Sequence, residues 1–265
     1  MSQFYSPRLK SLLMVVPCYN ESERFSIDYW KGVLANSPTI QWLFVNDGSR
    51  DETSSLIDVM LEFGAATLHL DKNSGKAEAI RAGLLHSESF EDVYIAVGYV
   101  DADMAFNDSE VVEFCESSRK SFDEDRNLDC QIASRVKLAG SVITRSTGRH
   151  YLSRIVATGF GIFWSEIPYD TQCGLKVFRK TRHFDNAVSI PFLTRWLFDI
   201  ELMSRISSAK EENIEILEKP LKYWGEVGQS KINLKEKFRI FREILFVAKL
   251  LYNVRKRKVA WDLID

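Results

Sequence analysis

The sequence predicts an α/β protein, with a mostly parallel central sheet and helices packed on both of its faces. Three observations predict it. Nearly continuous apolar runs, of the kind that fill strands buried on both faces, recur along the first hundred residues. Amphipathic segments of helical period separate them, and polar turn residues mark each junction. With 265 residues, 45% of them hydrophobic, the chain is long enough to bury a substantial core.

Taken in order, "SLLMVVP" is the first buried strand, closed by Pro17, and "ERFSIDYWKGVLAN" is a helix. "IQWLFVND" is the second strand and "DETSSLIDVMLEF" the second helix. "ATLHL", "GKAEAIRAGLLHS" and "DVYIAVGYV" continue as strand, helix and strand. Further on, "LKVFRK" reads as a strand and "RWLFDIELMSRI" as an amphipathic helix. The last segment, "LKEKFRIFREILFVAKLLYNVRKRKVAW", sets Phe238, Phe241, Ile244, Leu245, Ala248 and Leu251 or Tyr252 at helical spacing among Lys and Arg. Such a helix suits either a core-facing role with a solvated back or an anionic membrane surface. The expected division is a catalytic domain over 1–232 and a basic amphipathic helix and tail over 233–265.

Composition excludes several classes. Lys and Arg number 35 against 37 Asp and Glu, for a net charge of −2, which gives no electrostatic case for nucleic acid. Cys18, Cys115, Cys130 and Cys173 are widely spaced with no CxxC pair, so neither a zinc site nor a disulfide framework is expected. The N-terminal apolar run reaches Pro17 after about six residues and has no small-residue cleavage site, so it reads as a strand rather than a signal peptide. No window approaches the roughly 20 apolar residues of a spanning helix. The expectation is a cytoplasmic chain, peripheral on the cytoplasmic face of the membrane if it meets lipid at all.

In a parallel sheet, ligands bind beyond the carboxyl ends of the strands. The predicted strands end in "PCYNE", "NDGSRDE", "DKNSGK" and "DADMAFN", so Asn20, Glu21, Asp47, Asn73, Lys76, Asp101 and Asp103 should share one rim. Singly, each has a plainer use: Asp51 or Asn73 as a helix cap, Gly48 or Gly75 as a turn residue, Lys76 as a solvated charge. Four strand ends bearing such groups together favour a site. It is not a dinucleotide-binding Rossmann site, because the first loop, "PCYNESE", contains no glycine. Nor is it a P-loop, because "NSGKAEA" lacks the upstream glycine and the Ser or Thr after Lys.

Asp101 and Asp103 close an apolar run with a D-x-D pair. Carboxylates so spaced suit a hard divalent cation, Mg²⁺ or Mn²⁺, which keeps water ligands and bridges substrate phosphates. Bound to a diphosphate leaving group, such an ion neutralises developing charge.

"VVPCYNESER", "FVNDGSRDET", "NSGKAEAIRAGL" and "DADM", in this order, resemble the inverting nucleotide-sugar glycosyltransferases of family 2. The resemblance implies a glycosyltransferase A-type fold with a Rossmann-like nucleotide-binding half. It also implies that Pro17, Glu21 and Asp47 serve the base and ribose of the nucleotide, with Tyr19 and Lys76 beside them. Asp101 and Asp103 would take the ribose and the diphosphate-bound metal. A carboxylate such as Asp47 can accept the imino N–H of uracil or of guanine.

Downstream, "ASRVKLAGSVITRSTGRHYLSRIV", "PYDTQCGLKVFRK", "RWLFDIELMSRI" and "KPLKYWGEVGQSKI" resemble the polyprenyl-phosphate glycosyltransferases. Dolichyl-phosphate β-glucosyltransferases come nearest and dolichol-phosphate mannose synthases next. The resemblance implies transfer of one sugar from UDP-glucose or GDP-mannose to a lipid monophosphate with inversion. An acceptor phosphate carries about −1.5 to −2 charge, and Arg135, Arg145 and Arg149 offer it forked cations, unless their segment is only a solvated helix face. The family's phosphate-holding arginines match Arg135 and Arg149. An acid near Asp170 is the family's proposed general base, although an ionised phosphate hardly needs one, and Asp170 would then orient the acceptor or an arginine. Gln172 adds a neutral hydrogen-bonding group for the acceptor, while Cys173 reads as packing. Asp199 and Glu201 read equally as substrate contacts or as buried polar partners of the arginine-rich segment. Trp196 and Trp224 read as core or channel walls, and no histidine has ligand spacing.

The expectation is a metal-dependent inverting transferase acting on a polyprenyl phosphate, with Asp170, Arg135, Arg149 and Asp103 as its catalytic group. The resemblance implies an N-terminal anchor in the eukaryotic glucosyltransferases and C-terminal spans in many bacterial ones; neither is expected here, so the expectation is peripheral contact with membrane lipid or a different, soluble acceptor. The alternatives are a transferase that extends a cell-surface glycan on a sugar hydroxyl, with Asp170 as base, and a non-catalytic nucleotide-sugar binding module.

Overall fold

The computed structural model describes residues 12–90, 94–144, 158–161, 164, 167–210, 213–225 and 234–255, and for 234–238 and 253–255 the helical backbone alone. Strand β1 (Leu12–Cys18) is buried at every residue except Pro17, as its apolar run requires. It pairs in parallel with β2 (Ile40–Asn46) on one side and β4 (Ala96–Val100) on the other. Strand β3 (Ala66–His69) extends the sheet beyond β2, again in parallel. The chain thus builds outward from β1 to β3 and returns to β4 on the opposite flank, which makes the junction of β1 and β4 a switch point in strand order.

The second half adds β7 (Leu175–Arg179), antiparallel to both β4 and β5 (Cys130–Ser134), and then β8 (Ile216–Pro220), parallel to β5. The order of the seven strands is β3-β2-β1-β4-β7-β5-β8. Two reversals around β7 leave β5 running the same way as β4, so their carboxyl ends share a rim. A small parallel pair joins β6 (Val142–Thr144) to β9 (Tyr223–Gly225).

Strand alternation divides the core. Leu12, Met14 and Val16 face Trp30, Trp42, Phe44 and Phe114, under helices α1 (Ile27–Ala35) and α4 (Asp108–Glu124). Leu13 and Val15 face Ile80, Leu84, Phe198 and Met203, under α3 (Lys76–His86) and α6 (Phe198–Lys210). Helix α1 begins where the Ser26 hydroxyl accepts from Tyr29 N–H, and α5 (Arg182–Ser189) where Thr181 accepts from Phe184 N–H. The helix expected over "DETSSLIDVMLEF" is α-helical only over Thr53–Asp58 (α2) and tightens into a 3₁₀ turn over Val59–Phe63. The N-cap of α2 is Glu52, without a side-chain cap, while the Asp51 carboxylate before it accepts from Thr53 N–H and Ser22 N–H and ties this segment to the loop after β1.

Helix α7 (Leu234–Arg255) docks on the second face through Val247 and Leu251. Its expected apolar stripe is divided: Leu251 is buried and Ile244 and Ala248 are half-buried, while Phe241 (56% exposed), Leu245 (56%) and Tyr252 (43%) face outward. The Phe238 side chain is outside the described residues. Among those described, no helix is long and apolar enough to cross a membrane.

Candidate functional site

A cavity of about 610 Å³ opens at the switch point. Pro17, Tyr19 and Glu21 reach it from the end of β1, Asp47 from β2, Lys76 from the start of α3, and Asp101 and Asp103 from the end of β4. The structure therefore brings together all seven residues expected to contact the nucleotide sugar. Arg24, Arg195, Trp196 and Arg239 complete the wall.

Asp101 is set by its neighbours. Its N–H donates to the Gly174 carbonyl at 2.9 Å, and a Cβ on Gly174 would stand 2.1 Å from Asp101 Oδ2. Only glycine at 174 lets the carboxylate lie against the backbone. Lys76 Nζ sits 2.5 Å from Asp101 Oδ1. Burial works against the Lys76 charge, yet Asp101 holds the ammonium above its ordinary pKa.

Asp103 Oδ1 accepts from Ala105 N–H at 3.1 Å, and Met104 between them has φ of 56°, a left-handed backbone that favours glycine. Burial, and then the adjacent Asp101 charge, push the Asp103 carboxyl above the usual range. Burial likewise raises Glu21, with Asp103 and Asp101 adding and Arg24 opposing. Glu21 Oε1 holds Arg24 at 2.8 Å, while its Oε2 is buried with no hydrogen-bond partner among the described residues.

Such acids have unmet demand for positive charge, and their donors are all hard oxygens, so the site fits a divalent cation. Among the described residues no three acids, histidines or cysteines form a ready metal cage.

Asp47 is buried, and its two oxygens accept from the N–H groups of Ser74 and Gly75, each at 2.8 Å. This fixes the loop that opens α3. Gly75 has φ of 96°, and a Cβ there would meet the Arg195 guanidinium at 2.3 Å. Arg195 Nη2 donates to the Ser74 carbonyl at 3.1 Å, so the guanidinium lies across the loop at the cavity wall.

On the same rim, Arg135 follows β5 and Asp170 opens the turn before β7. Arg135 Nε and Nη2 donate to the two Asp170 oxygens at 2.7 and 2.6 Å, and Arg135 N–H donates at 2.9 Å. The guanidinium also lies over the Trp224 ring, 5.1 Å from its centroid. Burial opposes the Arg135 charge, but Asp170 holds it above the ordinary arginine value. Asp170 and Tyr169 N–H groups donate to Glu218 at 2.8 Å, anchoring the turn to β8. Gln172 Nε2 is buried with no hydrogen-bond partner among the described residues. Burial pushes the Cys173 thiol up to about 12, consistent with packing rather than nucleophilic chemistry. Arg145 and Arg149 lie outside the described residues.

Asp199 and Glu201 have separate partners. Asp199 Oδ1 takes the Tyr99 hydroxyl and Lys176 Nζ, the latter at 3.2 Å, and Lys176 Nζ also donates to the Cys173 carbonyl at 2.5 Å. This fully buried lysine therefore supports the 170–174 turn from beneath, and burial lowers its pKa to about 8. Glu201 binds Arg205 at 2.5 Å and the N–H groups of Leu193 and Thr194, a scaffold contact within its own helix and loop. The arginine-rich segment that either acid was expected to meet lies outside the described residues.

Residues 14–122 match the glycosyl transferase family 2 domain. The chain is 28% identical over 261 residues to a dolichyl-phosphate beta-glucosyltransferase of Trichomonas vaginalis, covering 92% of this chain and 72% of that one. It is 30% identical over 241 residues to the dolichyl-phosphate beta-glucosyltransferase of Homo sapiens, covering 84% and 70%. Among solved structures, glucosyl-3-phosphoglycerate synthase from Mycobacterium tuberculosis in complex with Mn²⁺, UDP-glucose and phosphoglyceric acid aligns with a TM-score of 0.61 at 12% identity, over 92% of this chain and 80% of that one. S. aureus TarS 1-349 in complex with UDP aligns with a TM-score of 0.55 at 18% identity, over 91% and 65%. At such identities the structures speak for the fold, which is the glycosyltransferase A type. With the family's strand-end acids gathered on one cavity, and a human relative matched over most of both chains, the chain belongs to glycosyltransferase family 2.

Proposed function

We propose that this glycosyltransferase moves one sugar, with inversion, from a UDP-glucose or GDP-mannose type donor to a polyprenyl, dolichyl-like phosphate. The carrying observation is the Arg135–Asp170 pair beside the Asp101–Asp103 cavity. A transferase using a sugar hydroxyl needs a base to remove its proton. Here the candidate base already has both oxygens on a guanidinium. A phosphate acceptor, with a second pKa of about 6, arrives ionised and needs only a cation to hold it.

In this reading Asp101 and Asp103 would hold Mg²⁺ or Mn²⁺, which would supply a Lewis acid for the charge on the leaving diphosphate. Lys76, beside Asp101, adds fixed positive charge at the same end of the donor. Pro17, Tyr19, Glu21 and Asp47 receive the nucleoside. Asp170 orients Arg135, whose outer edge, with Arg149, Arg145 and Gln172, receives the acceptor phosphate. The relatives' names supply the lipid class. The exposed stripe of Phe241, Leu245 and Tyr252, flanked by exposed Arg242 and Lys249, gives the chain a surface suited to an anionic bilayer where that lipid resides.

The test offers labelled UDP-glucose or GDP-mannose and Mn²⁺ to the protein together with a short polyprenyl phosphate and the matching unphosphorylated polyprenol. Label is expected on the phosphate alone, in the anomeric configuration opposite to the donor's. Label on the polyprenol hydroxyl, or none on the phosphate, would refute the acceptor assignment.

A further inference from the structure

Helix α7 meets the cavity at one residue and the backbone of its wall at another. Arg239 lines it directly. One turn later, Glu243 is buried and takes three backbone donors: Arg195 N–H on Oε1 at 3.1 Å, and Trp196 and Leu197 N–H on Oε2 at 2.8 and 3.3 Å. Those amides lead into α6, where backbone donors point outward and an anion is favoured. They also carry the two side chains, Arg195 and Trp196, that line the cavity together with Asp47 and Gly75. Arg195 then bridges to Ser74, whose N–H is bound by Asp47. A continuous set of contacts thus runs from α7 to the predicted nucleoside-binding loop.

We propose that Glu243 is a positioning residue for the donor site, fixing Arg195 and Trp196 as the wall that closes on a nucleoside diphosphate. The inference rests on the nucleotide-sugar reading above and deepens it: α7 is part of the donor site rather than an appendage to it. A carboxylate is needed because donors approach both of its oxygens. Glutamine presents an N–H₂ where Arg195 N–H requires an acceptor, so Glu243→Gln loosens the wall with little change in shape.

The test is a calorimetric titration of UDP with Mn²⁺ into wild type, Glu243→Gln, Arg195→Ala and the double variant, with amide hydrogen exchange on the first two. Glu243→Gln is expected to weaken UDP binding about tenfold. It should also speed exchange at 195–197 while leaving 193–194, which Glu201 holds, unchanged. In the Arg195→Ala background Glu243→Gln should have less effect than in wild type, because the two share the Arg195 part of the wall. Wild-type affinity in Glu243→Gln, or full additivity with Arg195→Ala, overturns the inference alone. A wild-type protein that binds neither UDP nor, in the same titration, GDP overturns the nucleotide reading and this inference with it. Arg239→Ala serves as a second probe, weakening UDP without changing exchange at 195–197.

Discussion

Arg135 and Asp170 form a two-pronged ion pair on the rim of the sheet, with both partners largely withdrawn from water: their side chains are 11% and 2% exposed. An acid so held serves its arginine. Asp170→Asn keeps the shape and removes the charge. It is expected to raise KM for polyprenyl phosphate while kcat falls less than about tenfold, whereas loss of a true general base would cost roughly a hundredfold or more. Steady-state kinetics separate the two. Asp170→Ala, which leaves a buried guanidinium unpaired, should destabilise the fold by about 3–5 kcal/mol in urea unfolding.

The close approach of Gly174 to Asp101 gives a second prediction. A methyl group at 174 occupies the place of Asp101 Oδ2, at 2.1 Å, so Gly174→Ala must turn that carboxylate or shift the turn. Activity should fall about a hundredfold, as for a displaced catalytic group. The stability loss should stay near the roughly 1–3 kcal/mol of local overpacking. Unchanged turnover would show that the position of Asp101 does not matter to the chemistry.

The raised carboxyls fix a pH dependence. Glu21 and Asp103 both titrate above their ordinary values, burial being the larger cause and neighbouring acids the next. The folded protein therefore binds protons more tightly than the unfolded chain, and these groups favour folding most below the ordinary carboxylate range of about 4. That contribution is lost as pH rises through the raised values. Mn²⁺ with UDP should release protons on binding, and should bind more weakly as pH falls through the same window. Calorimetry in buffers of different ionisation enthalpy measures the release. Binding without proton release would remove these acids from the ion's surroundings.

The outward stripe of α7 separates folding from membrane contact. Replacing exposed Phe241, Leu245 and Tyr252 by serine should leave unfolding within about 0.5 kcal/mol per site. Partition onto phosphatidylserine vesicles should drop at least about tenfold. Equal partition of the variant would place the lipid contact elsewhere.

Much of this was legible in the sequence because strand ends are periodic landmarks. "DADM" and "NDGS" follow runs too apolar to be loops, so Asp47, Asp101 and Asp103 could be assigned to a rim before any coordinates. Strand direction is not encoded in periodicity: "LKVFRK" gave a strand but not its antiparallel insertion between β4 and β5. Arg195, Arg239 and Glu243 were hidden for another reason. Arg195 meets a carbonyl 121 positions away, and Glu243 looks like one more charge on a basic helix until α7 is docked. The sole local hint was "RWL" immediately before "FDIEL". Lys176 sits among the apolar residues of "LKVFRK", where alternation alone would not distinguish a buried cation from a solvated one.

The central claim is that the Asp101–Asp103 cavity holds a nucleotide diphosphate through a divalent ion. The most direct measurement is the dissociation constant of UDP by calorimetry, with Mn²⁺ and with EDTA, for wild type and Asp103→Ala. The account predicts binding that requires Mn²⁺ and is lost in Asp103→Ala, with the circular dichroism of the variant unchanged. Equal affinity in EDTA, or a fully binding Asp103→Ala, would contradict it.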